Sequence, residues 1–245
     1  MNSLTGQSAL ITGGAKRIGR AIALALARGG ADVTITYRHS ADEAVETVDA
    51  VEQLGRRAHA VMCDVRSEVE VRAAVEAAVA FHRRFDILVN NAAIFEAAPL
   101  DQLTIASWDA VFETNVRGPF LMSREALPHL RASRGRIVNL GSLGGLQPWP
   151  GHAHYCASKA ALHMLTQTMA KAFAPEVAVN CVAPGWIEME AGSAAAEERA
   201  ARFAAKTPMR RNGAADDVAE AVLFFAGATE FITGQILAVD GGLGL

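Results

Sequence analysis

The stretch Ala9-Leu10-Ile11-Thr12-Gly13-Gly14-Ala15-Lys16-Arg17-Ile18-Gly19-Arg20 decides how this chain is read. An apolar run too brief for a helix passes into a glycine-rich turn, and the alanine-rich helical pattern of Arg20 to Arg28 begins at once. A strand, a glycine turn and a helix N-terminus in that order aim backbone amides and the positive end of a helix dipole at one point, where a pyrophosphate is stabilised. Gly13 or Gly14 suits the tight turn, and Gly19 lets the helix pack closely on the strand. A plain helix-entry loop has the same composition, so the surrounding chain has to choose between the two.

Outward from this stretch the pattern repeats. Short apolar runs at Ala9–Ile11, Val33–Tyr37, Ala58–Cys63, Ile87–Asn90, Arg136–Leu140, Ala178–Val182 and Ile236–Val239 alternate with helical patterns at Arg20–Arg28, Ser40–Leu54, Ser67–Phe81, Ser107–Leu130, His154–Phe173 and Asp216–Ala226. Strands that are apolar throughout are buried on both faces, which predicts an α/β fold: a doubly wound, Rossmann-like parallel sheet with helices on both faces. Ser40 with Glu43 and Ser67 with Glu70 have capping-box spacing, and Gly29 and Gly55 stop the helices before them. The alanine- and charge-rich segment 188–206 has no strand partner and is expected to form a helical lid over the substrate.

The 245 residues, 51% of them hydrophobic, fit one domain spanning 1–245 without linker or repeat. Lys and Arg number 23 against 26 Asp and Glu, a net charge of −3, so the chain offers no basic field for nucleic acid or an anionic membrane. Met1 to Gln7 has no basic leader pattern, and no apolar run approaches the ~20 residues that span a bilayer. The expectation is a cytoplasmic protein, with Cys63, Cys156 and Cys181 as buried thiols in a reducing compartment.

Two further clusters point to chemistry. After the second strand stands Tyr37-Arg38-His39-Ser40, where an NAD-binding protein carries a carboxylate for the ribose hydroxyls. Arg38 pairs instead with a ribose phosphate, and His39 and Ser40 add hydrogen bonds, which favours NADP(H). In Tyr155-Cys156-Ala157-Ser158-Lys159, residues four apart share a helix face, so the Lys159 ammonium is expected near the Tyr155 phenol and to lower its pKa. Ser142, at the end of the fifth strand, lies at the sheet edge where such folds bind ligands, and its hydroxyl suits a carbonyl oxygen.

Together, Thr12-Gly13 with Gly19, Asn90-Asn91-Ala92-Ala93, Asn115, Ser142, Tyr155 with Lys159, and Pro184-Gly185 resemble the short-chain dehydrogenase/reductase family across essentially the whole chain. The resemblance implies a hydride-transferring oxidoreductase that self-associates, as a tetramer or dimer, and acts on a small molecule. It implies Tyr155 as general acid/base, Lys159 as its modulator and a ribose holder, Ser142 as carbonyl polariser and Asn115 as holder of a proton-relay water. It further implies cofactor contacts from Gly13, Ile18 and Gly19, from Asp64 and Val65 at the adenine, from Asn91, Ala92 and Ala93, and from Pro184, Gly185 and Ile187 at the nicotinamide.

Departures from the family pattern narrow the choice. Arg17 replaces the middle glycine of the phosphate loop, Ala93 stands where glycine is usual, and Met189 stands where a threonine commonly grips the carboxamide. Arg17, with Phe95 where a pterin ring would stack, resembles the pteridine reductase branch, although that branch often carries aspartate at the place of Ser142. Phe95, Trp149 and Trp186 are expected on loops bordering the substrate cleft. His152 and His154 lack a third ligand for a metal site. The expected activity is NADPH-dependent reduction of a ketone or β-ketoacyl carbonyl. The alternatives are a pteridine reductase acting on a dihydropterin or quinonoid pterin, and a non-catalytic NADP(H)-binding sensor on the same fold.

Overall fold

The computed structural model of the chain describes residues 3–188 and 194–245. Its elements run β1 (Ser8–Ile11), α1 (Arg17–Arg28), β2 (Asp32–Tyr37), α2 (Ala41–Gln53), β3 (Ala58–Met62), α3 (Glu68–His82), β4 (Ile87–Asn90), α4 (Ile105–Phe112), α5 (Gly118–Ser133), β5 (Arg136–Leu140), α6 (Ala153–Phe173), β6 (Ala178–Pro184), α7 (Ala194–Lys206), α8 (Ala215–Gly227) and β7 (Ile236–Val239). The strands form one parallel sheet in the order β3-β2-β1-β4-β5-β6-β7. The order reverses between β1 and β4, and a doubly wound sheet opens its ligand crevice at that point.

Each face of the sheet carries its own core. One cluster joins Ile11, Val33, Ile35 and Val182 to Ile22 and Leu26 of α1 and to Val218, Val222 and Phe225 of α8. The other joins Leu10, Leu88 and Ile137 to Val71 and Val75 of α3 and to Met122, Ala126 and Leu130 of α5. Strand residues of alternating direction therefore bury both faces, as the continuous apolar runs predict.

Three local expectations are corrected. The long helix expected over Ser107–Leu130 is broken: α4 ends at Phe112, a π-turn spans Glu113–Arg117, and α5 starts at Gly118. Pro119 has no N–H to give the Asn115 carbonyl four residues back and its ring crowds that carbonyl, so the chain widens there. Ser40 is the N-cap of α2 but makes no side-chain cap bond, and the Glu43 carboxylate, which would close the other half of the box, lies 3.3 Å from Lys16 instead. The Ser67 box is half made: its hydroxyl accepts from the Glu70 amide at 3.4 Å, while the Glu70 carboxylate accepts from Asp64 N instead. Helices α3 and α5 end on the left-handed residues Arg83 and Arg134, stops that a search for glycine does not find.

Candidate active site

Residues of the two loops at the reversal point hold each other. Thr12 Oγ1 accepts from the amides of Asn91 and Ala92 at 2.9 and 3.0 Å, and the Asn91 side-chain amide donates to the carbonyls of Thr12 and Gly13 at 2.9 and 3.0 Å. The glycine turn is therefore fixed by side chains from β4's end, not left to its own flexibility. Gly13 adopts φ +64°, and a Cβ on Gly19 would fall 2.1 Å from the Gly13 carbonyl oxygen, so only glycine allows α1 to start here. Lys16, the N-cap of α1, makes no side-chain cap bond. The first-turn amides thus keep the geometry of an anion cradle, which fits a dinucleotide pyrophosphate. Arg17 has φ +54°, a left-handed backbone where the resembling family has glycine.

At the far side of β2, Arg38 Nε donates to His39 Nε2 at 2.8 Å, and its guanidinium lies 3.8 Å from Asp64. Asp64 is gripped by Arg66, whose hydrogen bonds hold its carboxyl down at about 2, so it is ionised at every working pH. That the Asp64 carboxylate stands beside Arg38 is a tertiary feature, since Asp64 follows the neighbouring strand β3, which pairs with β2. Ser40 keeps its hydroxyl out of the α2 cap, and Val65 is buried beneath this corner.

The C-terminal ends of β4, β5 and β6 open into a cleft of about 330 Å³. Ser142, Tyr155 and Lys159 line one wall, Ile18, Asn91 and Ala93 the side next to the glycine turn, and Pro184, Gly185 and Ile187 the wall from β6. Phe95, Trp149 and Trp186 all border it. Ala92 sits at the turn just behind. Ser142 Oγ accepts from Gly144 N at 3.0 Å, which fixes the hydroxyl at the N-cap of a short 3₁₀ turn.

Lys159 is 3% exposed, and its ammonium donates to the Leu140 carbonyl at 2.7 Å. Burial pulls its pKa down to about 8, so it stays charged near neutrality. The Lys159 nitrogen stands 5.8 Å from the Tyr155 ring centre. The expectation that it lowers the phenol's pKa is not met in this structure: burial pushes Tyr155 up to about 12, and only the hydrogen bond with Ser142 opposes that. The physical reason is that the ammonium is spent on Leu140 while the phenol is desolvated by aromatic neighbours. The Phe95 ring meets Tyr155 edge-on at 4.8 Å, and Trp149 lies parallel to it at 6.3 Å.

Behind the wall, Asn115 is completely buried in the π-turn. Its side chain accepts from Ile94 N at 2.8 Å and donates to Ile94 O and the Ser158 hydroxyl, each at 3.0 Å. His152 stacks on Phe95 at 4.7 Å with Nδ1 2.9 Å from Glu96 O, whereas His154 is fully buried in the first turn of α6. Met189 lies outside the described residues, while α7 rises over the cleft with Phe203 stacked on Trp186 at 4.1 Å. Arg199, which lines the cleft, and Phe203, which stacks on Trp186, are not marked by anything near them in the chain, and nor is the bond from the buried Ser158 hydroxyl to Asn115. Cys63 and Cys181 are buried and Cys156 half-buried, and all three are free thiols.

The comparisons agree with this geometry. A profile of the family described as enoyl-(acyl carrier protein) reductase matches residues 13–244. The chain is 37% identical over 250 residues to 3β-hydroxysteroid dehydrogenase 1 of Eggerthella lenta, covering 100% of this chain and 96% of that one. It is 35% identical over 240 residues to a 3-oxoacyl-[acyl-carrier-protein] reductase of Staphylococcus epidermidis, covering 97% and 98%. A short chain dehydrogenase from Burkholderia cenocepacia, solved in complex with NADP, superposes with a TM-score of 0.92 at 42% identity over 100% of both chains. With its reversal-point cleft, glycine cradle and Ser142–Tyr155–Lys159 wall, the chain belongs to the short-chain dehydrogenase/reductase family of NAD(P)-binding oxidoreductases.

Proposed function

We propose that the protein reduces a ketone or β-ketoacyl carbonyl with NADPH. The observation that carries this reading is the meeting of the Ser142 and Tyr155 hydroxyls with a buried Lys159 ammonium on one cleft wall, opposite the glycine cradle. When bound, the cofactor supplies the hydride. Ser142 and Tyr155 hold the carbonyl oxygen. Tyr155, kept protonated at neutral pH by its burial, delivers the proton as negative charge develops there. Lys159 holds the nicotinamide ribose from the same wall, and the Asn115 carbonyl, denied a donor by Pro119, anchors a water that returns the proton.

Arg38, with His39 and Ser40, is the proposed holder of the ribose phosphate. No carboxylate occupies those positions, and the NADP-bound Burkholderia relative, 42% identical, supports the same reading. Asp64 and Val65 take the adenine side, Gly13, Arg17, Ile18 and Gly19 the pyrophosphate, Asn91, Ala92 and Ala93 the adjoining ribose, and Pro184, Gly185 and Ile187 the nicotinamide. Phe95, Trp149 and Trp186 give the substrate an apolar aromatic surround, in keeping with the acyl and steroid substrates named for the relatives. Of segment 188–206, residues 189–193 lie outside the described residues, and α7 serves as the lid, tied down by the Trp186–Phe203 stack.

The three free thiols support a reducing, cytoplasmic setting. Exposed Phe120 and Met164 on α5 and α6, Leu237 on the edge strand β7 and Phe231 before it support self-association as a dimer or tetramer.

Pteridine reduction is the second reading, favoured by Phe95 at the cleft beside Tyr155 and by Arg17 in the phosphate turn. NADPH consumption with ethyl acetoacetate, an acetoacetyl thioester, an aryl ketone, a quinone and a dihydropterin separates the readings. A carbonyl compound reduced by the wild type and untouched by Tyr155→Phe supports the main proposal. Turnover confined to the dihydropterin supports the second, and tight NADPH binding with no turnover of any probe leaves a sensor.

A further inference from the structure

Three polar residues on one face of α6 grip the end of β5. Lys159 donates to the Leu140 carbonyl at 2.7 Å, His163 Nε2 accepts from the Ser142 amide at 3.4 Å, and Thr166 Oγ1 accepts from the Asn139 side chain at 2.8 Å. Spacings of four and three residues place all of them on one helical stripe. The reaction proposed above uses the first. The middle one has no part in it.

The His163 ring is 4% exposed and fills a slot that the loop leaves for it. A Cβ on Gly141 would come 2.3 Å from Nε2, and a Cβ on Gly145 would come 2.6 Å from Cε1. These glycines flank Ser142 on both sides, so the loop is moulded on the imidazole from each end. The groups that face the ring are the Lys159 ammonium on its own helix, the Gly145 backbone, which hydrogen-bonds to it, and the Cys181 thiol from β6, which meets it across Gly141. Burial and Lys159 hold the ring neutral, with a pKa of about 4. A neutral ring that accepts at Nε2 carries its proton on Nδ1.

We propose that His163, as the neutral Nδ1–H tautomer, is a positioning residue that fixes the backbone of Ser142 and so aims its hydroxyl at the substrate oxygen. The inference rests on the ketone-reductase reading for the role of Ser142, while the contact itself does not. Apolar side chains fill the same space without an acceptor, leaving the Ser142 amide buried and unpaired and the hydroxyl free to drift. A misplacement of that kind costs turnover more than it costs binding.

The test has two arms. In wild-type protein with ¹⁵N-labelled histidine, the signal lost in His163→Gln should show an unprotonated Nε2 and a protonated Nδ1 from pH 6 to 8. An Nε2–H tautomer, or a titration midpoint above 6, overturns the proposal whether or not a substrate is known, and this arm needs no folded apolar variant. In the second arm, on the carbonyl probe that the wild type reduces fastest, His163→Leu should lower kcat about 10- to 100-fold with KM and NADPH affinity nearly unchanged. His163→Gln, which keeps an acceptor, should recover most of that loss, and His163→Leu should add little in a Ser142→Ala background. Full turnover in His163→Leu, no recovery by glutamine, or independent losses in the double variant overturn it. A wild type inactive on every probe would instead count against the parent reading, and the tautomer would still decide the contact.

Discussion

Asn115 Nδ2 donates to the Ser158 hydroxyl at 3.0 Å, and the same hydroxyl donates to the Tyr155 carbonyl at 2.7 Å. The π-turn ahead of α5 is thereby bound to the helix turn that carries the candidate acid. Ser158→Ala removes both bonds and leaves a completely buried Asn115 N–H without that partner. A loss of about 1–3 kcal/mol is expected, which is a fall in Tm of roughly 2–12 °C for a chain of this size. Thermal unfolding of the variant checks this, and an unchanged Tm would show that water replaces the hydroxyl.

Tyr155→Phe keeps the ring that packs between Phe95 and Trp149 and removes only the transferable proton. Turnover should fall about 10²- to 10⁴-fold with NADPH affinity within about twofold. Steady-state kinetics beside a fluorescence titration of NADPH separates the two effects. A variant that retains wild-type kcat defeats the assignment of the acid.

Arg38→Ala should weaken NADPH by about 10- to 150-fold, since a charge-assisted hydrogen bond is worth ~1.5–3 kcal/mol. NADH affinity should barely move. The ionised Asp64 3.8 Å from Arg38 repels the same phosphate, so the wild type's preference should sit toward the lower part of that range and shrink in high salt. Calorimetric titration of both cofactors decides it, and equal losses would remove the phosphate from this corner.

Arg17→Gly should relieve the left-handed backbone at φ +54°. Relief of about 1–2 kcal/mol, less ~0.5–1 kcal/mol for the glycine's greater unfolded-chain entropy, leaves a small gain in Tm. NADPH binding should nonetheless weaken, because a cation leaves the pyrophosphate cradle. A variant that binds NADPH as tightly as wild type would make Arg17 a backbone accident only.

His82 and His163 are both held well below the ordinary imidazole value of 6.5, at about 4, chiefly by burial. The folded state thus binds fewer protons than the unfolded one between pH 6.5 and 4. Their contribution is complete above pH 6.5 and is lost as the pH falls toward 4, with a slope approaching about 1.4 kcal/mol per pH unit for each proton displaced. Urea midpoints measured from pH 7 to 4.5 should decline, and His163→Gln should decline less steeply. A flat wild-type profile would show that the two rings titrate normally.

Much of this protein was legible before any coordinates. The alternation of apolar runs and alanine-rich helices is a local property with fixed periods, and it led directly to a parallel sheet with both faces covered. The glycine turn, Ser142 and the Tyr155–Lys159 spacing were equally plain, because each is a short stretch whose backbone geometry the residues impose themselves. Tertiary structure decided whatever depends on burial or on neighbours distant in the chain. Asp64 meets Arg38 only because β3 lies beside β2, and His163 meets Ser142 only because α6 packs over the end of β5. The break at Asn115 was written in Pro119, yet the partners that make the break stable, Ile94 and Ser158, arrive from other segments. The direction of the Tyr155 pKa could not be read from spacing at all. Spacing places an ammonium on the same helix face, but desolvation by Phe95 and Trp149 and the capture of Lys159 by Leu140 belong to the assembled cleft, where they outweigh the pairwise attraction.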